Sequence, residues 1–227
     1  RLQNKFGTQK FIVYFQSYTN TYAPFSTLKA LYEKALSFDN VIGLSIGTRT
    51  DCVSDEILDY LVDLSKDKEI WIEFGIQSFF DETLININRG DTSSNMKYWI
   101  NRSKEKGLNV CGHLIYGLPN ETQEMMLETF RQTVELKVDS IKFHPLYVVK
   151  NTLLTNEFKK GRFTPISEEL YIDTVVKSIK ILPENISIQR ITAGINDSTL
   201  LSPDWCRDKH TQMKNIRLAL EKEGFNY

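Results

Sequence analysis

The sequence predicts an α/β chain built on parallel strands with helices packed outside them. Three observations carry this. Short β-rich runs alternate with runs of helical period. Strand starts recur near residues 11, 41, 70, 109 and 140, the spacing of a βαβ unit of roughly thirty residues. Right-handed crossovers between such units give a parallel sheet with its helices outside.

The strand candidates are FIVYFQSY (11–18), VIGLSIG (41–47), IWIEFGIQ (70–77), NVCGHLIY (109–116) and SIKFHPL (140–146). Each is rich in β-branched and aromatic residues and bounded by polar or turn residues. Helices fill the gaps. Ser26 is the expected N-cap of a helix with Leu28, Leu31, Tyr32, Ala35 and Leu36 on one face. Ser54 precedes the acidic pair Asp55 and Glu56 and then Ile57, Leu58, Leu61 and Leu64. Residues 96–106 read as a helix stopped by Gly107. Asn120 with Gln123 has the spacing of a capping box ahead of Met126, Phe130 and Val134. After about Val149 the rhythm changes: a connecting stretch (150–166), a helix (167–182) ended by Pro183, a strand (186–191) and a charged amphipathic helix (208–223). With no flexible linker, the expectation is one domain over 1–227, with barrel strands and helices in 1–149 and a C-terminal extension in 150–227.

Composition narrows the function classes. Hydrophobic residues at 41% and charged residues at 25% exclude a disordered or fibrous chain. The 28 basic residues nearly balance the 29 acidic ones, so no chain-wide basic field for nucleic acid exists. No apolar run approaches the roughly 20 residues of a membrane helix, so no membrane partner is expected. Cys52, Cys111 and Cys206 are few, odd in number and far apart. That fits a reducing cytoplasm and excludes a zinc or iron–sulfur ligand cluster within these residues.

In a parallel α/β barrel, function sits at the C-terminal ends of the strands. Those positions here hold Asn20, Ser45, Thr48, Arg49, Glu73, Gln77, His113, His144 and Tyr147, with Gly47, Gly75 and Gly117 admitting close backbone approach. Glu73 and Gln77 are four apart in one strand and share a face. Arg49 and Asp51 can pair across a turn, and a strand histidine is more often structural than a ligand. No Walker loop, nucleophile elbow or HExxH motif is present. The residues therefore point to a barrel-like enzyme for a polar small molecule. An ordinary lyase or aldolase stays open through Lys142, which shares a face with His144.

Three stretches narrow this further: GIQSF (75–79), INRG (87–90) and HLIYGLPNET (113–122). Together they resemble the radical S-adenosylmethionine (radical SAM) superfamily, in particular its branch of oxygen-independent coproporphyrinogen oxidase and Elongator-type catalytic subunits. YFQSYTNTYAP (14–24), GLSIGTRTDC (43–52), IKFHPLYV (141–148) and SPDWCRDK (202–209) resemble the YhcC/YtqA-like bacterial group of that superfamily. The resemblance runs over essentially the whole chain.

It implies a partial (β/α)6 TIM-like barrel that binds SAM beside a 4Fe–4S cluster held by a CxxxCxxC loop. It also implies reductive cleavage of SAM to a 5′-deoxyadenosyl radical, with a reductant such as flavodoxin or ferredoxin. By match to the oxidase pattern, Gln77 meets the ribose hydroxyls, Arg89 the methionyl carboxylate, and the backbone of Ile115 the adenine. His113 stands where the oxidase has an Asp. Ser45 stands where it has a Glu for the methionyl amine, with Glu73 or Thr48 as substitutes. Asn20, Arg49, His144 and Tyr147 are left for the substrate side. The CxxxCxxC loop and the first barrel strand are absent, and residues 1–10 read as the helix end and turn before the second strand. The chain is thus expected to be a fragment, inactive alone, of an iron–sulfur oxidoreductase. The Elongator-type resemblance makes a tRNA wobble uridine one candidate substrate, with Lys159, Lys160, Arg162, Arg207, Lys209, Lys214 and Arg217 as candidate phosphate contacts. A cluster-free barrel kept as a binding or scaffold protein is the alternative.

Overall fold

The computed structural model describes residues 7–225. The first part of the expected helix end and turn, residues 1–6, lies outside the described residues. The main sheet has the strand order β1 (Phe11–Phe15), β2 (Val41–Thr48), β3 (Glu69–Gln77), β4 (Asn109–Tyr116), β5 (Ser140–Pro145), β7 (Ser187–Arg190), and β6 (Val148–Val149) with β8 (Leu200–Ser202) forms a separate ribbon. The chain divides into two compact units, one comprising residues up to Ile76 with Ser94–Gly112, the other Gln77–Ser93 with His113 onward.

In the first unit β1 (Phe11–Phe15) runs parallel to β2 (Val41–Thr48), and β2 parallel to β3 (Glu69–Gln77). Apart from Ile42, β2 is buried along its length. A strand covered on both faces must be apolar throughout, and VIGLSIGT is nearly so. Gly43 is required there: a Cβ would lie 1.9 Å from the Glu69 carbonyl oxygen. β1 is shorter than expected. It stops at Phe15, and Tyr18 sits at φ 62 in the following turn, 98% exposed.

Helix α1 (Phe25–Leu36) buries Leu28, Tyr32 and Ala35. Its cap is Pro24, not Ser26. The Pro24 carbonyl accepts from the Thr27 and Leu28 amides at 2.9 and 3.2 Å, and proline's restricted φ presets the entry. Helix α2 (Asp55–Ser65) begins as expected, with Ser54 Oγ accepting from the Ile57 amide. The loop helix α3 (Asp81–Asn86) belongs to the second unit and was not foreseen. Helix α4 (Ser93–Glu105) buries Met96, Ile100 and Ser103, and Gly107 follows it at φ 82. It starts earlier than the sequence suggests because the Asp81 carboxylate accepts from the Ser93 amide at 2.7 Å.

In the second unit, β4 (Asn109–Tyr116) ends and α5 (Gln123–Glu135) begins at Thr122, whose hydroxyl accepts from the Met125 amide. Asn120 is not the cap, since its φ of 66 places it in the preceding turn. β5 (Ser140–Pro145) pairs in parallel with β7 (Ser187–Arg190). Phe143 stacks on Phe130 of α5 at 5.8 Å and meets the buried Tyr116 at 5.3 Å. The stretch read as a connection folds into β6 (Val148–Val149), paired antiparallel with β8 (Leu200–Ser202), and α6 (Leu153–Lys159), capped by Thr152. Helices α7 (Glu168–Lys180) and α8 (Lys209–Lys222) begin one residue after the expected starts, because Ser167 and Asp208 serve as their caps.

Candidate active site

In the first unit the strand ends assemble around a buried carboxylate. Glu73 is 1% exposed. It accepts a hydrogen bond from the Tyr14 hydroxyl at 2.9 Å and another from Ser45 Oγ. The structure thus brings Ser45 and Glu73 together, with Tyr14 as a partner that residue spacing did not single out. A buried carboxylate needs such donors to offset its desolvation.

Asn20 and Arg49 are engaged locally. Asn20 Nδ2 donates to the carbonyls of Phe15 and Gly47 at 3.0 and 2.9 Å, and its amide donates to Gly47 at 3.2 Å. Arg49 holds Asp51 through Nε and Nη2 at 2.7 and 2.6 Å. Thr48 meets Thr21 at 2.5 Å, and Thr21 donates to the Cys52 carbonyl at 2.6 Å. These contacts tie the loops after β1 and β2 to one another.

In the second unit Gln77 ends β3 at φ 69, a left-handed conformation that costs a residue with a Cβ. Its Oε1 is buried and meets no donor among the described residues. The next residue is pinned: Ser78, fully buried, donates from Oγ to Glu121 at 2.5 Å. Ser78 Oγ also accepts from the Phe80 amide at 3.1 Å, and Thr129 Oγ1 accepts from the Phe79 amide at 3.3 Å. Burial pushes the Glu121 carboxyl up, opposed by its hydrogen bonds from Ser78 and Thr83. Residue spacing had not picked out Glu121 as part of the support.

Arg89 is 8% exposed. It leaves α3 through a turn in which Asn88 (φ 53) and Gly90 (φ 68) are left-handed and its own amide returns to the Leu84 carbonyl at 2.8 Å. His113 and Ile115 are half-buried on β4. The Tyr116 carbonyl accepts from the Leu146 amide at 2.8 Å, joining the end of β4 to the segment after β5. Gly117 sits at φ 89 with Ile166 2.7 Å from where a Cβ would be.

His144 Nδ1 lies 2.6 Å from the Pro145 carbonyl, and its ring lies 4.8 Å from that of Tyr147. A carbonyl only accepts, so Nδ1 carries the proton and Nε2 presents a lone pair. Burial is the main cause that lowers the His144 pKa to about 4, with the charge of Arg190 adding to it. The ring is neutral near pH 7. Burial raises the Tyr147 phenol, which keeps its proton.

The buried acceptor of Gln77, with no donor of its own, fits a ligand carrying hydroxyls such as the ribose of SAM. A 4Fe–4S cluster does not fit the thiols present. Cys52 lies in a 3-10 turn, Cys111 in β4 and Cys206 in a second 3-10 turn, and burial pushes the Cys206 thiol up to about 12. Among the described residues no helix is long and apolar enough to cross a membrane.

The chain is similar to known proteins in sequence and in fold. The radical SAM superfamily model matches residues 1–133 and the radical SAM C-terminal domain model residues 138–222. Protein YhcC of Escherichia coli K12 is 38% identical over 95% of the chain, and YtqA of Bacillus subtilis 34% over 99%; the chain spans 70% of each. The tRNA uridine(34) acetyltransferase of Methanocaldococcus jannaschii is 28% identical over 68% of the chain and 28% of its own length. In fold, the chain superposes on the archaeal Methanocaldococcus infernus Elp3 with a TM-score of 0.84 at 21% identity, over 99% of this chain and 57% of that one. That likeness gives the architecture its class, α/β strands of a partial TIM-like barrel. On the two family models and the identity to YhcC and YtqA, this chain belongs to the radical SAM superfamily.

Proposed function

We propose that the chain is the SAM-binding and substrate-binding part of a radical SAM enzyme. The observation that carries the reading is Gln77: a strained backbone and a buried oxygen without a donor, at the end of β3 and within the residues that the radical SAM superfamily model matches. Strain and unmet polarity of this kind concentrate where a ligand completes the structure.

In this reading Gln77 Oε1 accepts from a ribose hydroxyl, and Ser78 with Glu121 holds that turn in place. Arg89 meets the methionyl carboxylate, whose planar fork suits a guanidinium. Glu73, oriented by Ser45 and Tyr14, takes the methionyl amine. His113 and the backbone of Ile115 line the ribose and adenine. A 4Fe–4S cluster, which the thiols of this chain do not hold, would together with SAM supply radical chemistry toward the substrate. His144 and Tyr147 present an acceptor and a donor to that substrate. Asn20 and Arg49 shape the loops beside it. Flavodoxin or ferredoxin is the class of reductant. A tRNA wobble uridine is the substrate candidate, supported by the likeness to the tRNA uridine(34) acetyltransferase.

Calorimetric titration of SAM into the chain tests the reading. Gln77→Ala and Arg89→Ala should each weaken binding; a hydrogen bond to a charged group contributes about 1.5–3 kcal/mol, so the Arg89 variant should lose about tenfold or more. Unchanged affinity in both variants would remove these assignments.

A further inference from the structure

Arg190 is the one residue of the chemistry-bearing strand ends that spacing and motif did not point to. It is the last residue of β7 and is half-buried. Its Nε is buried and meets no acceptor, and its guanidinium forms no ion pair among the described residues. An arginine drawn into a protein is normally paired, because an unpaired desolvated charge is costly. On the neighbouring strand Lys142 is the Cα partner of Arg190 across the β5–β7 pairing.

The surroundings are ordered for a ligand. The Tyr171 hydroxyl, buried in α7, donates to the Ile191 carbonyl at 2.8 Å and fixes the backbone immediately after Arg190. His144 follows Lys142, the Cα partner of Arg190, by two residues on β5 and so lies on the same face of the β5–β7 pair, and its ring touches that of Tyr147. A cation, a fixed lone pair at His144 Nε2 and a phenol donor therefore converge at the ends of β5 and β7 and in the loop after β5.

We propose that Arg190 forms an oxyanion subsite for the substrate, binding a phosphate or carboxylate group while His144 Nε2 accepts from a hydroxyl or amine beside it. A planar guanidinium with an unused Nε is suited to bidentate recognition of either group. The inference deepens the reading above by giving the substrate a charged group. Its main readout, anion binding, is taken without SAM or a cluster, so its failure and the failure of that reading are distinguishable.

The buried Nε–H of Arg190 gives a slowly exchanging side-chain signal in 15N-resolved NMR, assigned by its loss in Arg190→Met. The chain is titrated separately with inorganic phosphate and with acetate. Saturable shifts of this signal and of the His144 ring in the parent, with the affinity read from the His144 ring weakened about tenfold or more in Arg190→Met, support the subsite. The stronger of the two anions distinguishes a phosphate-bearing from a carboxylate-bearing substrate. Arg190→Met should also melt no lower than the parent chain, because it removes an uncompensated charge. Three results overturn the proposal: no saturable shift with either anion, equal anion binding in Arg190→Met, or displacement of the bound anion by SAM, which would move Arg190 to the SAM side. If Arg190→Met fails to fold, Arg190→Lys replaces it, and undiminished phosphate and acetate affinity in that variant counts against the guanidinium fork.

Discussion

Replacing Gln77 by glycine should stabilise the ligand-free chain while weakening its ligand. In the parent, φ of 69 at a residue with a Cβ costs about 1–2 kcal/mol, and glycine relieves it. The buried Oε1 with no donor costs about 1–3 kcal/mol, and its removal returns that too. Against these stand about 0.5–1 kcal/mol for the greater freedom of an unfolded glycine. The partly buried side-chain methylenes add roughly 1 kcal/mol of lost burial. The balance favours glycine by about 1–2 kcal/mol. For a chain of this length that raises the melting temperature by about 2–8 °C. The assay is thermal and urea unfolding without SAM, with Gln77→Ala alongside. Alanine removes the orphaned oxygen but keeps the left-handed strain, so it should fall between the parent and Gln77→Gly. A glycine variant that melts lower than the parent by a few degrees would refute the reasoning, and with it the view that this turn is held strained for a ligand.

Glu121→Ala should destabilise the chain by about 1–3 kcal/mol in urea, since Ser78 Oγ loses its acceptor inside the second unit. Glu121→Gln keeps an acceptor without the charge that burial disfavours and should lose much less; equal losses would show that the contact with Ser78 does not matter. By NMR titration the His144 ring should protonate near pH 4. Its folded pKa lies below the unfolded value near 6.5, so the unfolded chain binds the extra proton first. Its contribution is complete above pH 6.5 and fades, by at most about 3 kcal/mol, as pH falls towards 4; a midpoint near 6.5 would contradict the buried, carbonyl-bonded ring. Gly43→Ala should cost about 3 kcal/mol or more, because the added carbon meets a backbone oxygen that no rotamer change can move; soluble, normally melting protein would show that the β2–β3 spacing yields.

The sequence by itself determined the positions of the main-sheet strands, most helix faces and the helix starts at Ser54, Ser167 and Asp208. These depend on interactions within a few residues, and a period of 2 or 3.6 is written directly in the chain. The motif around Gln77 was legible as a resemblance to a family, because a contiguous run of residues can be matched whatever its contacts. Where a cap was misplaced, a stronger local feature prevailed: Pro24 over Ser26, and the left-handed turn at Asn120 before Thr122. Tertiary structure alone decided the rest. The start of α4 depends on Asp81 reaching Ser93, the support of Gln77 on Glu121 reaching Ser78, and the carboxylate of Glu73 on Tyr14 and Ser45. Arg190 owes its interest to a partner it does not have, and Asn20 and Arg49 owe theirs to partners close at hand. Pairing between segments tens of residues apart leaves no periodic trace. Whether a polar group is satisfied becomes known only when every neighbouring element has been placed around it.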